Sequence, residues 1–334
     1  MNLRTQGFLA HNPKLIIAVA AFAAFLATFN ETFLNIGFTP IMDDLGVGVS
    51  TVQWLAGAYM LGAGVMVPVS AFLYRRFPTR LLFLSIVALL IIGSIIGGFA
   101  QSFTVLLIGR IIQALGTGLL IPVGMNITLD VAPRQKLGVC MGLMGAMTTL
   151  GPSLSIVVAG ALLSKFSWHS LLWTFAALSI LCFICGAVLL KNVSKLTRPK
   201  LDMLSIPLIA IALIGILYGA STLLDSAINI RIPLSAIVIG IISLIVFVKR
   251  QNKLAQPLIE LKCLCVKPFA IGVIMNMIAL IIMFSMNIII PVFLQGPLGV
   301  SPLNASFTLF PAIILAAVIA PLAGKIYDKR GIKT

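Results

Sequence analysis

Glu31 is the residue of this sequence with the clearest potential for chemistry. It is the only acidic residue inside a long apolar run, which covers residues 15–38. A carboxylate at the centre of a bilayer costs about 2.5–3.5 kcal/mol on insertion scales, so such residues usually face the interior of a helix bundle and serve a function. Desolvation there favours the neutral acid, as proton coupling requires. We predict that Glu31 binds and releases a proton; the alternative is a structural carboxylate held by hydrogen bonds between helices.

Further polar residues share the helix face of Glu31. Positions three, four and seven residues apart lie on one side of a helix, which places Thr28, Thr32 and Asn35 in one stripe with the carboxylate. Such a stripe can hydrate a cavity inside an apolar bundle. We assign it, together with the neighbouring Asn30, to the wall of a substrate cavity.

Arg110 begins a second polar stripe inside another apolar run. Gln113 and Thr117 follow it at helical spacing. An arginine at membrane depth needs partners, because its charge cannot be left in hydrocarbon. One interpretation is a cation satisfied by backbone carbonyls that holds helices together. The spacing does not decide whether Arg110 meets Glu31 directly, and we place Gln113 and Thr117 in the cavity wall.

Methionine and asparagine are concentrated in the apolar run at 268–292. Flexible, polarizable side chains suit a pocket that accepts varied apolar ligands, although lipid-facing or core positions are the alternative. We therefore add Met275 and Asn276 to the predicted substrate cavity. Tyr59, in the run at 52–74, is assigned to the membrane interface or to packing, with substrate contact as the alternative.

The composition indicates a polytopic membrane protein. Hydrophobic residues make up 60% of the 334 residues and charged residues 9%, with a mean hydropathy of +1.16. Soluble domains contain about 45–50% apolar and 25% charged residues. The partner implied by this composition is the lipid bilayer of the cell membrane.

The same composition argues against several other classes of protein. The formal net charge of +15 lies in short loops between apolar runs, so it does not predict nucleic-acid binding. Five cysteines and two histidines supply no pattern for a disulfide framework or a metal site. The sequence has no phosphate-binding glycine-rich loop and no HExxH. We predict no enzyme activity, no cofactor and no metal.

Ten apolar runs are long enough to span a membrane. At about 20 residues for each span, they cover 15–38, 52–74, 81–100, 103–125, 138–163, 170–190, 204–224, 233–249, 268–292 and 303–324. Of the 23 Lys and Arg residues, only Lys165 and Arg231 lie in the connections on one side, and Arg110 lies within a span. All the others lie in the alternate connections. This bias predicts a multi-pass protein with a cytoplasmic N terminus.

A weak internal repeat predicts the domain organisation. Residues 70–80 (SAFLYRRFPTR) and 324–333 (GKIYDKRGIK) are related by an offset of 254, which also aligns the first span with the ninth. We predict a six-helix half at 1–190, a linker with two extra helices at 191–267, and the first two helices of a second half at 268–334. Parallel half-repeats are a transporter architecture, so four more spans are expected after residue 334.

Four motifs lie on these predicted helices. They are residues 29–40 (FNETFLNIGFTP), 106–122 (LLIGRIIQALGTGLLIP), Gly138 with Gly151 and Pro152, and residues 324–331 (GKIYDKRG). Together they resemble the major facilitator superfamily, and within it the 14-span drug:proton antiporters of the multidrug and lincomycin-resistance type. The sequence departs from the family pattern at Asn30, where many members have Asp, at Met147 and Ser155, which replace glycines, and at Tyr74 and Phe77.

The resemblance implies an all-α polytopic helix bundle of the major facilitator fold and proton-coupled efflux of hydrophobic or amphipathic drugs by alternating access. Its partners would be a small-molecule substrate and protons. Arg110 would oppose the charge of Glu31, and Gly138, Gly151 and Pro152 would form a packing and hinge region. The cytoplasmic loop motif would hold neighbouring helices in one access state, or would only set topology; its residues are Arg75, Gly324, Asp328, Lys329, Arg330 and Gly331.

Two alternatives to drug efflux remain open from the sequence. The chain is a porter for another small solute of the same superfamily, or it is a truncated, non-transporting fragment. The second alternative follows from the repeat, because four further helices would complete the second half.

Overall fold

The computed structural model has a helix at each of the ten predicted spans. It describes residues 12–194, 196–197, 202, 204–223, 229–254, 257–295, 298 and 302–331. None of these residues lies in a β-strand, so the predicted all-α fold is confirmed. The predicted cytoplasmic N terminus falls on residues 1–11, outside the described part.

Twelve α-helices follow one another along the described chain. They are α1 (Pro13–Phe33), α2 (Phe38–Leu45), α3 (Val49–Val52), α4 (Trp54–Arg76), α5 (Thr79–Gly98), α6 (Phe103–Val131), α7 (Leu137–Leu163), α8 (His169–Leu189), α9 (Ser205–Thr222), α10 (Arg231–Lys253), α11 (Lys267–Gln295) and α12 (Pro302–Arg330). Within the described residues, eight helical segments are long and apolar enough to cross a membrane. Helices α11 and α12, each 29 residues long, occupy the predicted ninth and tenth spans.

The first span changes its winding just after Glu31. Helix α1 ends at Phe33, and a 3₁₀ turn at Leu34–Gly37 leads into α2. Because a 3₁₀ turn has three residues per turn rather than 3.6, Asn35 lies outside the α-helical register that was predicted for it. The α-helical part of the predicted stripe therefore ends at Thr32. Helix α2 ends at Leu45 and is followed by Gly46, whose φ of 63° is the left-handed conformation that glycine adopts readily.

Helix α6 lies between several neighbours because small residues let the backbones approach. It packs against α1, α4 and α5. A Cβ atom added to Gly93 of α5 would lie 2.6 Å from the carbonyl oxygen of Gly109, and one added to Gly118 would overlap the carbonyl of Ala63 on α4. Close approach at small residues is typical of membrane helices. It brings three helices around the segment of α6 that carries Arg110.

The chain folds into two compact units. The first comprises Met1–Leu201 with Ala316–Thr334, and the second comprises Asp202–Leu315. The first unit holds α1 to α8 and the C-terminal part of α12, whereas the second holds α9, α10, α11 and the start of α12. The organisation into 1–190, 191–267 and 268–334, which followed from the repeat, stays a prediction.

Candidate functional site

Arg110 is the centre of a buried polar network in the first unit. Its side chain is 1% exposed. Nη1 donates to the backbone oxygen of Asn30 at 3.2 Å, to Oδ1 of the same residue at 3.3 Å, and to Oε1 of Gln113 at 3.2 Å. Nε donates to the carbonyl oxygen of Leu55 at 3.5 Å. Arg110 thus joins α6 to α1 and α4, partly through backbone carbonyls.

One end of the guanidinium is left open. Within the described residues, Nη2 of Arg110 is buried and donates to no acceptor. A buried donor without an acceptor costs about 1–3 kcal/mol, and more when it is charged. Such groups are rare in folded proteins and call for an explanation such as a functional role or a bound water. The site therefore keeps one charged donor available to a further acceptor.

Tyr59 of α4 completes the network, although little in the sequence indicated it. The ring centroid lies 4.0 Å from Cζ of Arg110, a cation–π contact. The Tyr59 hydroxyl is 2.7 Å from Oγ1 of Thr117 and accepts a hydrogen bond from Nδ2 of Asn30 at 3.2 Å. With 1% of its surface exposed, Tyr59 packs inside the unit rather than at an interface. The only signal in the sequence was a tyrosine within an apolar run.

The network continues from Gln113 into α5. Nε2 of Gln113 donates to Oγ of Ser94 at 2.8 Å, and Ser94 donates in turn to the carbonyl oxygen of Leu90 at 2.6 Å. Ser94 and Gln113 are both fully buried. The polar stripe that was predicted on α6 therefore has its partners on α1, α4 and α5.

Glu31 is half-buried and lies within electrostatic range of Arg110 and Tyr59. Within the described residues, no ion pair shorter than 4 Å joins it to the guanidinium of Arg110. Asn30, the preceding residue, makes the direct contact with Arg110 instead. The carboxylate and the guanidinium are thus near each other without neutralising each other.

Other polar residues of the first span lie beside α7. The hydroxyl oxygen of Thr32 lies 2.7 Å from Oγ of Ser155, one of the two residues that replace motif glycines. Thr28 donates to the carbonyl oxygen of Phe25 at 3.1 Å. Oδ1 of Asn35 is buried without a partner among the described residues. The role of Thr28, Thr32 and Asn35 in a substrate cavity stays a prediction.

Gly151 and Pro152 lie where α7 meets α1. A Cβ added to Gly151 would overlap Oγ1 of Thr28 and would lie 2.8 Å from the backbone nitrogen of Phe29. Pro152 lies inside α7, and its missing N–H removes one bond from the helical ladder. The two helices are therefore in close contact at a point where α7 lacks one backbone hydrogen bond.

The cytoplasmic loop motif contacts the beginning of α7. Oδ1 of Asp328 accepts a hydrogen bond from the backbone N–H of Gly138 at 2.7 Å, and Oδ2 accepts one from Val139 at 3.0 Å. These N–H groups belong to the first turn of α7, which has no intrahelical acceptors for them. A carboxylate at a helix N-terminus is favourable for the same reason and because of the helix dipole.

Glycines allow α12 to come this close to α7. A Cβ added to Gly138 would lie 2.5 Å from the carbonyl oxygen of Gly324. Lys329 is exposed, and α12 ends before Gly331, whose φ is 72°. The side chain of Arg330 lies outside the described part.

The first copy of the loop motif is arranged differently. Arg75 is exposed at the end of α4. Tyr74, which stands where the second copy has Asp328, donates its hydroxyl proton to Oδ2 of Asp130 on α6 at 2.7 Å. The first copy is therefore joined to α6 by a tyrosine hydroxyl, and it has no acidic residue in the place of Asp328.

Met275 and Asn276 belong to α11 in the second unit. Both side chains are exposed, Met275 to 66%. Their assignment to the substrate cavity stays a prediction.

Among the residues that the structure describes, no group of three or more His, Cys, Asp or Glu side chains is arranged to hold a metal ion.

Comparison with known proteins identifies the family. The profile of the Major Facilitator Superfamily matches residues 20–334. The chain is 36% identical over 313 residues to a lincomycin resistance protein LmrB of Bacillus subtilis (strain 168), which covers 93% of this chain and 65% of that protein. It is 33% identical over 319 residues to the protein of the same name from Listeria monocytogenes, with coverages of 96% and 68%. This chain thus spans about two thirds of the length of these relatives.

A solved structure supports the same fold. The proton:xylose symporter XylE bound to 6-bromo-6-deoxy-D-glucose superposes with a TM-score of 0.63 at 12% identity, covering 95% of this chain and 70% of that one. At this identity the likeness concerns the fold alone. The resemblance found in the sequence is confirmed for the fold and the family: the chain belongs to the Major Facilitator Superfamily.

Proposed function

We propose that this chain belongs to a proton-coupled exporter of hydrophobic or amphipathic compounds, which works by alternating access in the cell membrane with its N terminus in the cytoplasm. The observation that carries the proposal is the relationship of Glu31 to Arg110. A half-buried carboxylate lies near a buried guanidinium that has an unpartnered donor, and the two groups form no ion pair. A purely structural pair would be expected to be in contact.

The first step of the mechanism is the gain and loss of a proton at Glu31. When the carboxyl group is protonated, Arg110 is held by Asn30, Gln113 and the Tyr59 ring, as observed. When the proton leaves, the carboxylate is attracted to Nη2, the donor that is free to receive it. Satisfying that donor is worth about 1–3 kcal/mol. A bias of this size changes the ratio of two conformations by roughly 5- to 150-fold.

The second step is the transfer of this movement from α1 to α7. Glu31 is followed directly by Thr32, whose hydroxyl is hydrogen-bonded to Ser155. Gly151 leaves no space between the two helices, so a displacement of α1 must be followed by α7. Pro152 provides the missing backbone bond at which α7 can bend.

The third step concerns the beginning of α7. Asp328 holds its first turn by two hydrogen bonds. A charge at a helix end stabilises by about 0.3–1 kcal/mol at exposed sites, up to about 2 kcal/mol when partly buried. The bias of about 1–3 kcal/mol that follows from the loss of the Glu31 proton is large enough to overcome this energy. The contact therefore acts as a latch for one access state, and it opens when α7 moves.

The substrate class is inferred from relatives and from the type of site. Two relatives that are 36% and 33% identical are named for lincomycin resistance, which supports drug efflux. Within the described part of residues 1–190, Arg110 is the one fully buried basic side chain. A porter for charged metabolites would need more such residues to bind its substrate.

The test is efflux measured in everted vesicles from cells that express the complete reading frame. Glu31→Gln is expected to abolish efflux driven by a pH gradient and to abolish substrate-dependent proton release. Glu260→Gln serves as the matched control, because Glu260 is exposed and lies outside the predicted spans. Proton-driven efflux that is unchanged in Glu31→Gln would refute the coupling assignment.

A further inference from the structure

A small cationic pocket lies at the end of α10, in the second unit. Its volume is about 260 Å³, and it is lined by Lys249, Arg250, Lys253 and Leu254. Lys249 and Lys253 are exposed and are four residues apart, so they lie on one face of the helix. Pockets for drug-sized ligands measure about 300–1,000 Å³, so this one suits a smaller polar group.

Arg250 is held in place by a carboxylate. Nε donates to Oδ2 of Asp202 at 2.7 Å and Nη2 donates to Oδ1 at 2.8 Å, a bidentate pair. The hydrogen bond from Arg250 lowers the pKa of Asp202 to about 2, so this carboxylate stays charged at neutral pH. Within the described residues, Nη1 of Arg250 has no acceptor. One carboxylate thus compensates one of the three cations, and two positive charges are left for a ligand.

The backbone around the pocket is also fixed. Nε2 of Gln251 donates to Oγ of Ser205 at 2.6 Å, and Ser205 donates to Oδ2 of Asp202 at 2.6 Å. Oε1 of Gln251 accepts from the backbone N–H of Leu258 at 2.7 Å. These bonds join the start of α9, the end of α10 and the chain that follows, so the pocket is organised before a ligand arrives.

The pocket directly follows the apolar part of α10. Residues 232–248 of α10 are predominantly apolar, and Ile242, Ile245 and Val246 are 44–55% exposed, as side chains that face lipid tails would be. Lys249 follows immediately. Basic residues at the end of a span lie at the surface of the bilayer, where the phosphates of lipids are located.

We propose that this pocket binds the phosphate of an anionic phospholipid headgroup. Lys249, Lys253 and Nη1 of Arg250 provide donors for the phosphate oxygens. Leu254 packs against the apolar part of the same lipid. The bidentate contact with Asp202 fixes the orientation of Arg250, which reduces the entropy that is lost on binding.

The test measures lipid binding to the purified full chain by native mass spectrometry, a readout independent of transport. Phosphatidylglycerol is titrated against the wild type and against Lys249→Gln/Lys253→Gln. We expect the double variant to bind it roughly tenfold or more weakly, since each basic residue near a bilayer surface contributes substantially to the attraction of anionic lipid. The charge-conserving Lys249→Arg/Lys253→Arg variant should retain most of the binding.

The matched control removes two cations elsewhere. Arg134→Gln/Lys136→Gln changes two exposed residues of the turn before α7 that do not line the pocket, and it should leave phosphatidylglycerol binding within about twofold of the wild type. An equal loss of phosphatidylglycerol binding in both double variants would overturn the proposal, since it would indicate that net positive charge, and not this pocket, attracts the lipid. Equal binding of phosphatidylcholine, or binding of inorganic phosphate without any binding of phosphatidylglycerol, would also overturn it.

Discussion

The carboxylate of Asp328 closes the first turn of α7 through the backbone N–H of Gly138, at 2.7 Å. The two residues are 190 positions apart in sequence, and both are in the first unit. The contact requires a glycine at position 138, because the carbonyl oxygen of Gly324 is too close for any side chain. A loop motif and a helix motif that looked independent in the sequence are therefore two sides of one interface.

Replacing Asp328 by Asn should loosen the start of α7. The amide keeps only one acceptor and loses the charge, and the loss of such a cap costs about 0.5–2 kcal/mol. The measurement is amide hydrogen exchange of the first turn of α7. The exchange rate should rise by roughly 2- to 30-fold, the factor that corresponds to this energy. Lys329→Gln, at the exposed neighbouring residue, should leave it unchanged; an equal rise there would argue against the cap.

Tyr59 should contribute through both its ring and its hydroxyl. Tyr59→Phe keeps the ring over Arg110 but leaves Thr117 and Asn30 without their partner, at a cost of about 1–3 kcal/mol for buried unsatisfied groups. Tyr59→Leu also removes the cation–π contact, worth about 2 kcal/mol when desolvated. The thermal midpoint in detergent and the rate of efflux should both decrease in the order wild type, Tyr59→Phe, Tyr59→Leu.

The control for Tyr59 is an exposed tyrosine. Tyr327, which is 52% exposed on α12, should tolerate Tyr327→Phe without a measurable change in thermal unfolding. If Tyr59→Phe and Tyr59→Leu were equally impaired, the ring would have no role of its own and the cation–π contact would have to be discarded as an energetic factor.

The sequence predicted the helices and one side of the site, but not its partners. Gln113 and Thr117 share the face of Arg110 because helical periodicity is a local property that can be counted. Asn30 and Tyr59 reach Arg110 from other helices, and Asn30 is 80 residues away along the chain. Periodicity does not specify which helices pack together. The contact with α4 depends on the close approach of the backbones near Gly118.

Two local features of the site could also not be predicted from the sequence. Asn35 was placed by extending an α-helix that in fact becomes a 3₁₀ turn at Leu34, and residues 14–33 contain no proline or glycine that would signal the change. Ser155 read only as a departure from a glycine motif, although its hydroxyl is the partner of Thr32. In both places the structure depends on packing between α1 and its neighbours rather than on residue propensity.

Acid should weaken the end of the α9 and α10 hairpin. The pKa of Asp202 is lowered to about 2 by the hydrogen bond from Arg250, against an ordinary value of 3.8. The stability that this carboxylate contributes is therefore complete above about pH 4 and is lost as the pH falls towards 2. Asp202→Asn should melt at a lower temperature than the wild type at pH 6, and the difference should shrink as the pH approaches 2. Asp43→Asn, at an exposed carboxylate of α2, should show no such convergence.

Two glycines of helix α7 test the interface with α1, because Gly151 is tightly packed whereas Gly160 has open space around it. A Cβ at Gly151 would overlap Oγ1 of Thr28 and would lie 2.9 Å from the carbonyl oxygen of Phe25, whereas a Cβ at Gly160 would meet no atom within 4 Å. Gly151→Ala should therefore lower thermal stability by about 1–3 kcal/mol, as overpacking does, and should reduce efflux. Gly160→Ala should be neutral or stabilising by up to about 1 kcal/mol, the helix preference of alanine over glycine.

Thr28→Ala combined with Gly151→Ala removes the side-chain part of the overlap at this interface. It should restore part of the lost stability but not all of it, because the backbone of Phe25 and Phe29 still lies too close. The measurement is the thermal midpoint of the wild type, Gly151→Ala, Gly160→Ala and Thr28→Ala/Gly151→Ala in the same detergent. Transport in vesicles is the second readout. If Gly151→Ala and Gly160→Ala behaved alike, α1 and α7 would not be in the tight contact on which the proposed transfer of movement from Glu31 depends.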